Sequence, residues 1–130
     1  NLAARLEGAT KKYDASFLIS EFTWACLPAV LQAGFRMVDL IQVKGKLEPV
    51  SIYEGMGRNI DAFPFADQWS DALVAYRSQN WTTARQLFVD IQKSRNNPDP
   101  VITLYLERIG VFENNAPSAD WDGVWVMETK

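Results

Sequence analysis

Apolar residues at Leu2, Ala3, Leu6 and Ala9 return at three- and four-residue intervals. That spacing puts side chains on one helical face and predicts an amphipathic helix over residues 1–12. Gly8 weakens its interior, and Lys11-Lys12 suits its C-terminal end, where carbonyl dipoles favour cations. The period then changes. Ala15-Ser16-Phe17-Leu18-Ile19 reads as a short buried strand, after which Ser20 offers a cap to a helical segment ending near Gly34. Pro28 starts or kinks the second half of that segment. Phe35 to Lys44 alternates imperfectly, with Val38, Leu40 and Val43 as its inward positions. A turn over Gly45-Lys46-Leu47-Glu48-Pro49 leads to the cleaner alternation of Val50-Ser51-Ile52-Tyr53-Glu54, so the two strands predict a hairpin.

Strand character stops at Gly55-Met56-Gly57-Arg58-Asn59. Asp67 is placed to cap a helix through about Ser78, with Trp69, Ala72, Leu73 and Tyr76 as its apolar stripe. A second helix from Trp81 to Ser94 puts Ala84, Leu87, Phe88 and Ile91 on one face. After Asn96-Asn97-Pro98-Asp99-Pro100, a third carries Val101, Leu104, Tyr105, Arg108, Ile109 and Phe112. Short joins predict an antiparallel helical hairpin and one further helix. The tail Trp121-Asp122-Gly123-Val124-Trp125-Val126-Met127 is apolar enough to pack back as a short strand or extended segment. The expected organisation is therefore mixed α/β (α+β): residues 1–55, a linker over 56–66, and a helical module with its tail over 67–130.

Composition narrows the functions. At 130 residues, 48% hydrophobic and 22% charged, the chain is that of a folded protein. A net charge of −3 with dispersed Lys and Arg argues against nucleic-acid binding, which needs a concentrated basic surface. The lack of histidine excludes a His-based triad or a His metal site within this chain. Cys26, the single cysteine, lies in an apolar run and is expected to be a small buried hydrophobe. No apolar stretch approaches the roughly 20 residues of a spanning helix, and no basic-then-apolar leader is present.

Two polar signals carry candidate chemistry. Asn1 and Arg5 stand four apart and share one helical face. Arginine suits a phosphoryl group because its charged fork matches phosphate oxygens. The plainer reading is a capping Asn followed by a surface Arg. Lys44 and Lys46 flank Gly45, where lysines can meet a phosphate as mobile point charges or keep an edge hairpin soluble. The spacing is not that of a P-loop. Asp14, Glu21, Asp39, Glu48 and Glu54 are scattered singly, so no carboxylate pair for a metal is visible, and Asp39 is expected to serve an arginine such as Arg36 or Arg5. Trp69, Tyr76, Trp81 and Phe88 read as packing residues rather than a nucleotide-stacking platform.

Taken together, NLAARLEGATKKYDASFLIS followed by FRMVDLIQVKGKLEPVSIYE resembles the C-terminal half of a class III adenylate/guanylate cyclase catalytic domain, over about residues 1–54. The resemblance implies a truncated ferredoxin-like sheet and a homodimer with sites at its interface. It implies that Asn1 orients the ribose, Arg5 stabilises charge at the α-phosphate, and Lys44, with Lys46 as a second candidate, holds the terminal phosphates. The Mg²⁺ or Mn²⁺ ions, the aspartates that hold them and the base-selecting residues would lie upstream, so this chain alone is expected to be inactive and to bind no metal stably. ATP, and hence cyclic AMP in a bacterial signalling pathway, rests on the family's commoner substrate; a guanylate cyclase is the close alternative. Residues Tyr76 and Trp81 to Phe88 resemble one tetratricopeptide-like repeat, which implies packing or a protein partner through helices 67–113. A non-enzymatic interaction or regulatory module is the rival reading. If the parent is membrane-anchored, this segment is expected on the cytoplasmic side.

Overall fold

The computed structural model of the chain describes residues 2–15, 17–43, 48–56 and 65–127, with backbone alone for residues 2–5, 7 and 43. It is a mixed α+β protein of two compact units, Asn1–Pro64 with Val124–Lys130, and Phe65–Gly123. The sequence pattern grouped residues 67–130 together; in the structure the helical unit ends at Gly123 and the tail joins a sheet.

In the first unit, helix α1 (Leu2–Tyr13) runs one residue past its expected end. Asp14 then adopts a left-handed φ of 50°, and the amide of Ala15 bonds back to the carbonyl of Thr10 at 2.9 Å. That wrap closes the helix and satisfies a carbonyl that would otherwise be orphaned. Strand β1 (Leu18–Ser20) passes directly into helix α2 (Glu21–Ala25), capped by the Ser20 hydroxyl accepting from the Thr23 amide. Helix α3 (Ala29–Gln32) starts after Pro28, so the proline divides one expected segment into two short helices. The indole of Trp24 donates to the Gln32 carbonyl, and the Gln32 amide group donates to the Trp24 carbonyl, tying the pair together. No residue of α2 or α3 is buried, and Cys26 is exposed. This corrects the expectation of a buried thiol: α2 is too short to turn its C-terminal end back onto the core.

Strands β2 (Phe35–Val43) and β3 (Val50–Gly55) form the expected antiparallel pair. With β1 and β4 (Trp125–Met127) the sheet order is β1-β3-β2-β4, β4 lying parallel to β2. The β2–β3 register skips at Val38: Met37 opposes Tyr53 and Asp39 opposes Ile52. A bulge of this kind inserts one unpaired residue and re-aims its neighbours. Simple alternation therefore fails here. Val38, Asp39 and Ile41 are buried, whereas Leu40, expected inward, is only partly covered. Tyr13, Ala9, Ile19 and Ile52 are buried with them, and so are Ala15, Leu18 and Val124.

The second unit contains α4 (Ala66–Arg77), α5 (Trp81–Ser94) and α6 (Pro100–Asn114). Phe65, not Asp67, occupies the N-cap of α4, and Asp67 sits in its first turn. Gln79, at a φ of 60°, and the Asn80 cap reverse the chain into α5. Tyr76–Trp81 contact near that turn and Trp69–Phe88 contact farther from it mark an antiparallel hairpin. Phe88 stacks on Tyr105 with ring centroids 4.9 Å apart, joining α6 to the hairpin. These rings pack on one another, as the helical spacing predicts. Asp99 caps α6 through the Val101 amide and pairs with Arg95 at 2.6 Å. Among the described residues no helix is long and apolar enough to cross a membrane.

Candidate phosphate-binding site

The residues singled out for phosphate chemistry sit at the margins of the described structure. Asn1, Lys44 and Lys46 lie outside the described residues. Arg5 lies on α1, with its side chain outside them. Lys44 follows Val43, the last residue of β2, in the chain. What the structure defines is the scaffold that holds α1 against β2.

That scaffold has a polar centre. The Tyr13 hydroxyl donates to Asp39 Oδ2 at 2.6 Å, and the Leu40 amide donates to Asp39 Oδ1 at 2.8 Å. Tyr13 is 0% and Asp39 1% exposed, so water does not compete for the bond. A buried carboxylate is tolerated only when donors replace its hydration, and both of its oxygens have one. Sequence reasoning missed the pair because the helix was ended at residue 12. The signal was present: Leu6, Ala9 and Tyr13 continue the three- and four-residue period by one more step.

Two further carboxylates of this unit, Glu54 and Glu21, also have structural partners. Arg36 and Glu54, directly opposite in the β2–β3 register, pair at 2.6 and 2.8 Å with little exposure. The Glu21 carboxylate accepts from the Ser51 amide at 2.7 Å. The ladder explains that bond: β1 ends with Ser20 opposite Ile52, so Ser51 would next meet Glu21, whose backbone has turned into α2. The side chain substitutes for the missing strand carbonyl. Among the described residues no three acidic, His or Cys side chains form a group that could hold a metal ion. The described donors thus do not fit a divalent cation.

On the far edge of the sheet, Lys12 Nζ lies 4.6 Å from the Trp125 ring centroid, a cation–π contact from the last turn of α1 to β4. Lys12, Trp125, Val126 and Met127 line an open depression of about 380 Å³. Neither feature was legible beforehand, since nothing in the tail announces which strand it pairs with.

No family model matches the chain, and no solved structure matches it. Two adenylate cyclases do. The chain is 42% identical over 55 residues to the terminal-differentiation specific adenylate cyclase of Dictyostelium discoideum, a match covering 42% of this chain and 3% of that protein. It is 42% identical over 55 residues to an adenylate cyclase of Anabaena cylindrica, covering 42% of this chain and 11% of that one. The matched stretch is cyclase-related. It spans only a small part of either relative.

Proposed function

We propose that the sheet unit supplies the phosphate-binding and transition-state side of a nucleotide cyclase site of the class III type, in a protein that converts ATP to cyclic AMP and pyrophosphate for intracellular signalling. The 42% identity to two adenylate cyclases carries this reading. In the reaction the ribose 3′-hydroxyl gives up its proton to solvent as its oxygen attacks the α-phosphorus, the bond from that phosphorus to the bridging oxygen breaks, and pyrophosphate leaves with the electron pair. Asn1 orients the ribose. Arg5 opposes the charge that grows on the α-phosphoryl oxygens, and Lys44, assisted by Lys46, holds the terminal phosphates. Loss of one such preorganised cation costs on the order of 10²–10³ in rate.

The carboxylates of the described sheet are held by structural partners, so the Mg²⁺ or Mn²⁺ of such a site belongs to other residues, supplied across a homodimer. The helical unit then serves as a tetratricopeptide-like packing element for that assembly. The test is ATP titration of ¹⁵N-labelled chain by NMR. Arg5→Ala and Lys44→Ala should each weaken binding; affinity indifferent to both substitutions overturns the assignment. Cyclic AMP formed by this chain alone, with Mn²⁺ or Mg²⁺, would overturn the half-site form of the proposal.

A further inference from the structure

We infer that helices α2 and α3 form a self-association face, and that its occupant is the same face of a second copy of this chain. Neither helix buries a residue. Between Glu21 and Arg36 fourteen consecutive residues carry no charge, where a chain 22% charged would place about three. The inward side of the segment is committed to the sheet. Glu21 accepts from the Ser51 amide at 2.7 Å, and the Trp24 ring stacks on Tyr53 with centroids 4.5 Å apart. Phe22, Ala25 and Cys26, related as i, i+3 and i+4, therefore share the outward side, and all three are exposed. Trp24 and Gln32 exchange hydrogen bonds, which hold α3 alongside with Val30 and Leu31 exposed. This anchoring preorganises the face, so a contact on it carries little ordering cost.

Size and charge select the occupant. Phe17, Phe22, Val30 and Leu31 are 53%, 61%, 78% and 53% exposed. Phe17 adjoins the end of α3, its ring centroid 6.0 Å from that of Phe35. A large aromatic carries roughly 150–250 Å², and Val and Leu less, so these four side chains leave about 400 Å² of apolar surface in water. The exposed small residues beside them bring each side to about 600 Å², and two copies to about 1,200 Å², the lower bound for a stable specific interface. A patch that meets its own copy about a two-fold axis sets each central residue against itself, and a charge there would face its like. The uncharged run escapes that repulsion, and it offers no counter-charge to an acidic or basic partner. Helices that lie on membranes carry Lys or Arg along their polar side, which this run lacks. None of these residues is among those assigned to phosphate, so the contact stands independently of the cyclase reading.

The experiment is sedimentation equilibrium of the full chain up to about 200 μM, with alkylation of Cys26 by iodoacetamide timed on the same dilution series. A reversible dimer with a Kd on the order of 10 μM is expected, the weak end for an interface of this area. Alkylation should slow in step with the dimer fraction, because the contact covers a thiol that is exposed in the free chain. Val30→Glu should raise the Kd about a hundredfold by setting like charges across the axis. Its far-UV circular dichroism and melting should be unchanged, since the side chain is so exposed. Phe22→Glu, on the other helix, should act alike and serves in its place if Val30→Glu does not fold. Val111→Glu, at an exposed valine on α6, should leave the Kd as it is. A chain that stays monomeric at the highest concentration, or that sediments with phosphatidylcholine vesicles rather than with itself, overturns the inference. So does a dimer that survives Val30→Glu, that weakens as much with Val111→Glu, or that leaves Cys26 alkylation unchanged.

Discussion

Replacing Gly123 by alanine should destabilise the chain sharply, and the structure supplies both parts of the cost. Gly123 has a φ of +85°, where a side chain is strained against its own carbonyl by about 1–2 kcal/mol. A Cβ built there would lie 2.4 Å from Arg77 Cγ and 3.1 Å from its Cβ and Cδ. Carbon pairs rest at about 3.5–4.0 Å, so the stem of Arg77 must move. Overpacking of this kind costs about 1–3 kcal/mol, and the lower half applies because Arg77 is partly exposed and its end can swing into water. The sum is about 2–4 kcal/mol. Gly110→Ala is the internal control. It lies inside α6, nothing approaches within 4 Å of its would-be Cβ, and the change should stabilise by about 0.5–1 kcal/mol. Thermal melts followed by tryptophan fluorescence and far-UV circular dichroism read both, at roughly 4 °C per kcal/mol for a chain of this size. Gly123→Ala should fall by about 8–16 °C and Gly110→Ala rise by about 2–4 °C. A Gly123→Ala protein melting within a degree of the parent would refute the left-handed turn and the Arg77 contact together.

Glu54→Gln should cost roughly 3 kcal/mol in urea unfolding, the lower end of the range for removing one partner of a buried ion pair, because Arg36 keeps its charge at 4% side-chain exposure; a loss below about 1 kcal/mol would show the pair to behave as a surface one. Asp120 titrates below the ordinary aspartate value of 3.8, chiefly because the Ser118 hydroxyl donates to its Oδ1 and secondarily through a backbone hydrogen bond. A folded pKa below the unfolded one adds stability that is fully present above the unfolded value and is lost as pH falls through the folded one. Ser118→Ala should move the Asp120 carboxyl titration, followed by ¹³C NMR, upward toward the ordinary value; an unmoved titration would remove the hydroxyl as the cause.

The parts of the fold legible in the sequence are those governed by period. The stripe Trp69, Ala72, Leu73 and Tyr76 is buried as its helical spacing predicts, and α5 spans Trp81–Ser94 as read. The β2–β3 pair follows from two strand-like runs around a turn. What escaped was set by single residues acting out of period. The Val38 bulge moved the buried positions of β2 off simple alternation, so Leu40 was placed inward and Ile41 was not. Phe65 took the cap expected of Asp67 without any side-chain bond, a geometry with no compositional signature. Of the site itself, the helix that carries Arg5 and the strand that ends at Val43 were legible, while the bond joining those elements depended on one more helical residue than the pattern was allowed.

The fate of the acidic residues bears on what kind of site this sheet can complete. Glu21 closes the ladder beyond β1, Asp39 receives a helix and its own strand, and Glu54 balances a buried arginine. Each of these three carboxylates answers a specific donor in the sheet unit. Recruiting any of them to a cation would strand that donor in a buried or half-buried position, at about 1–3 kcal/mol for a neutral group and more for the guanidinium. With these three acids spent on the sheet's own architecture, the proposed roles of Arg5, Lys44 and Lys46 are to meet negative charge rather than to hold positive charge. Cations for phosphate on one side and carboxylates for metal on the other is a division that a single small sheet achieves by pairing with a second one. That is the physical sense in which the homodimer follows from the proposed chemistry: the need for two kinds of charge around one triphosphate is met by bringing two surfaces together.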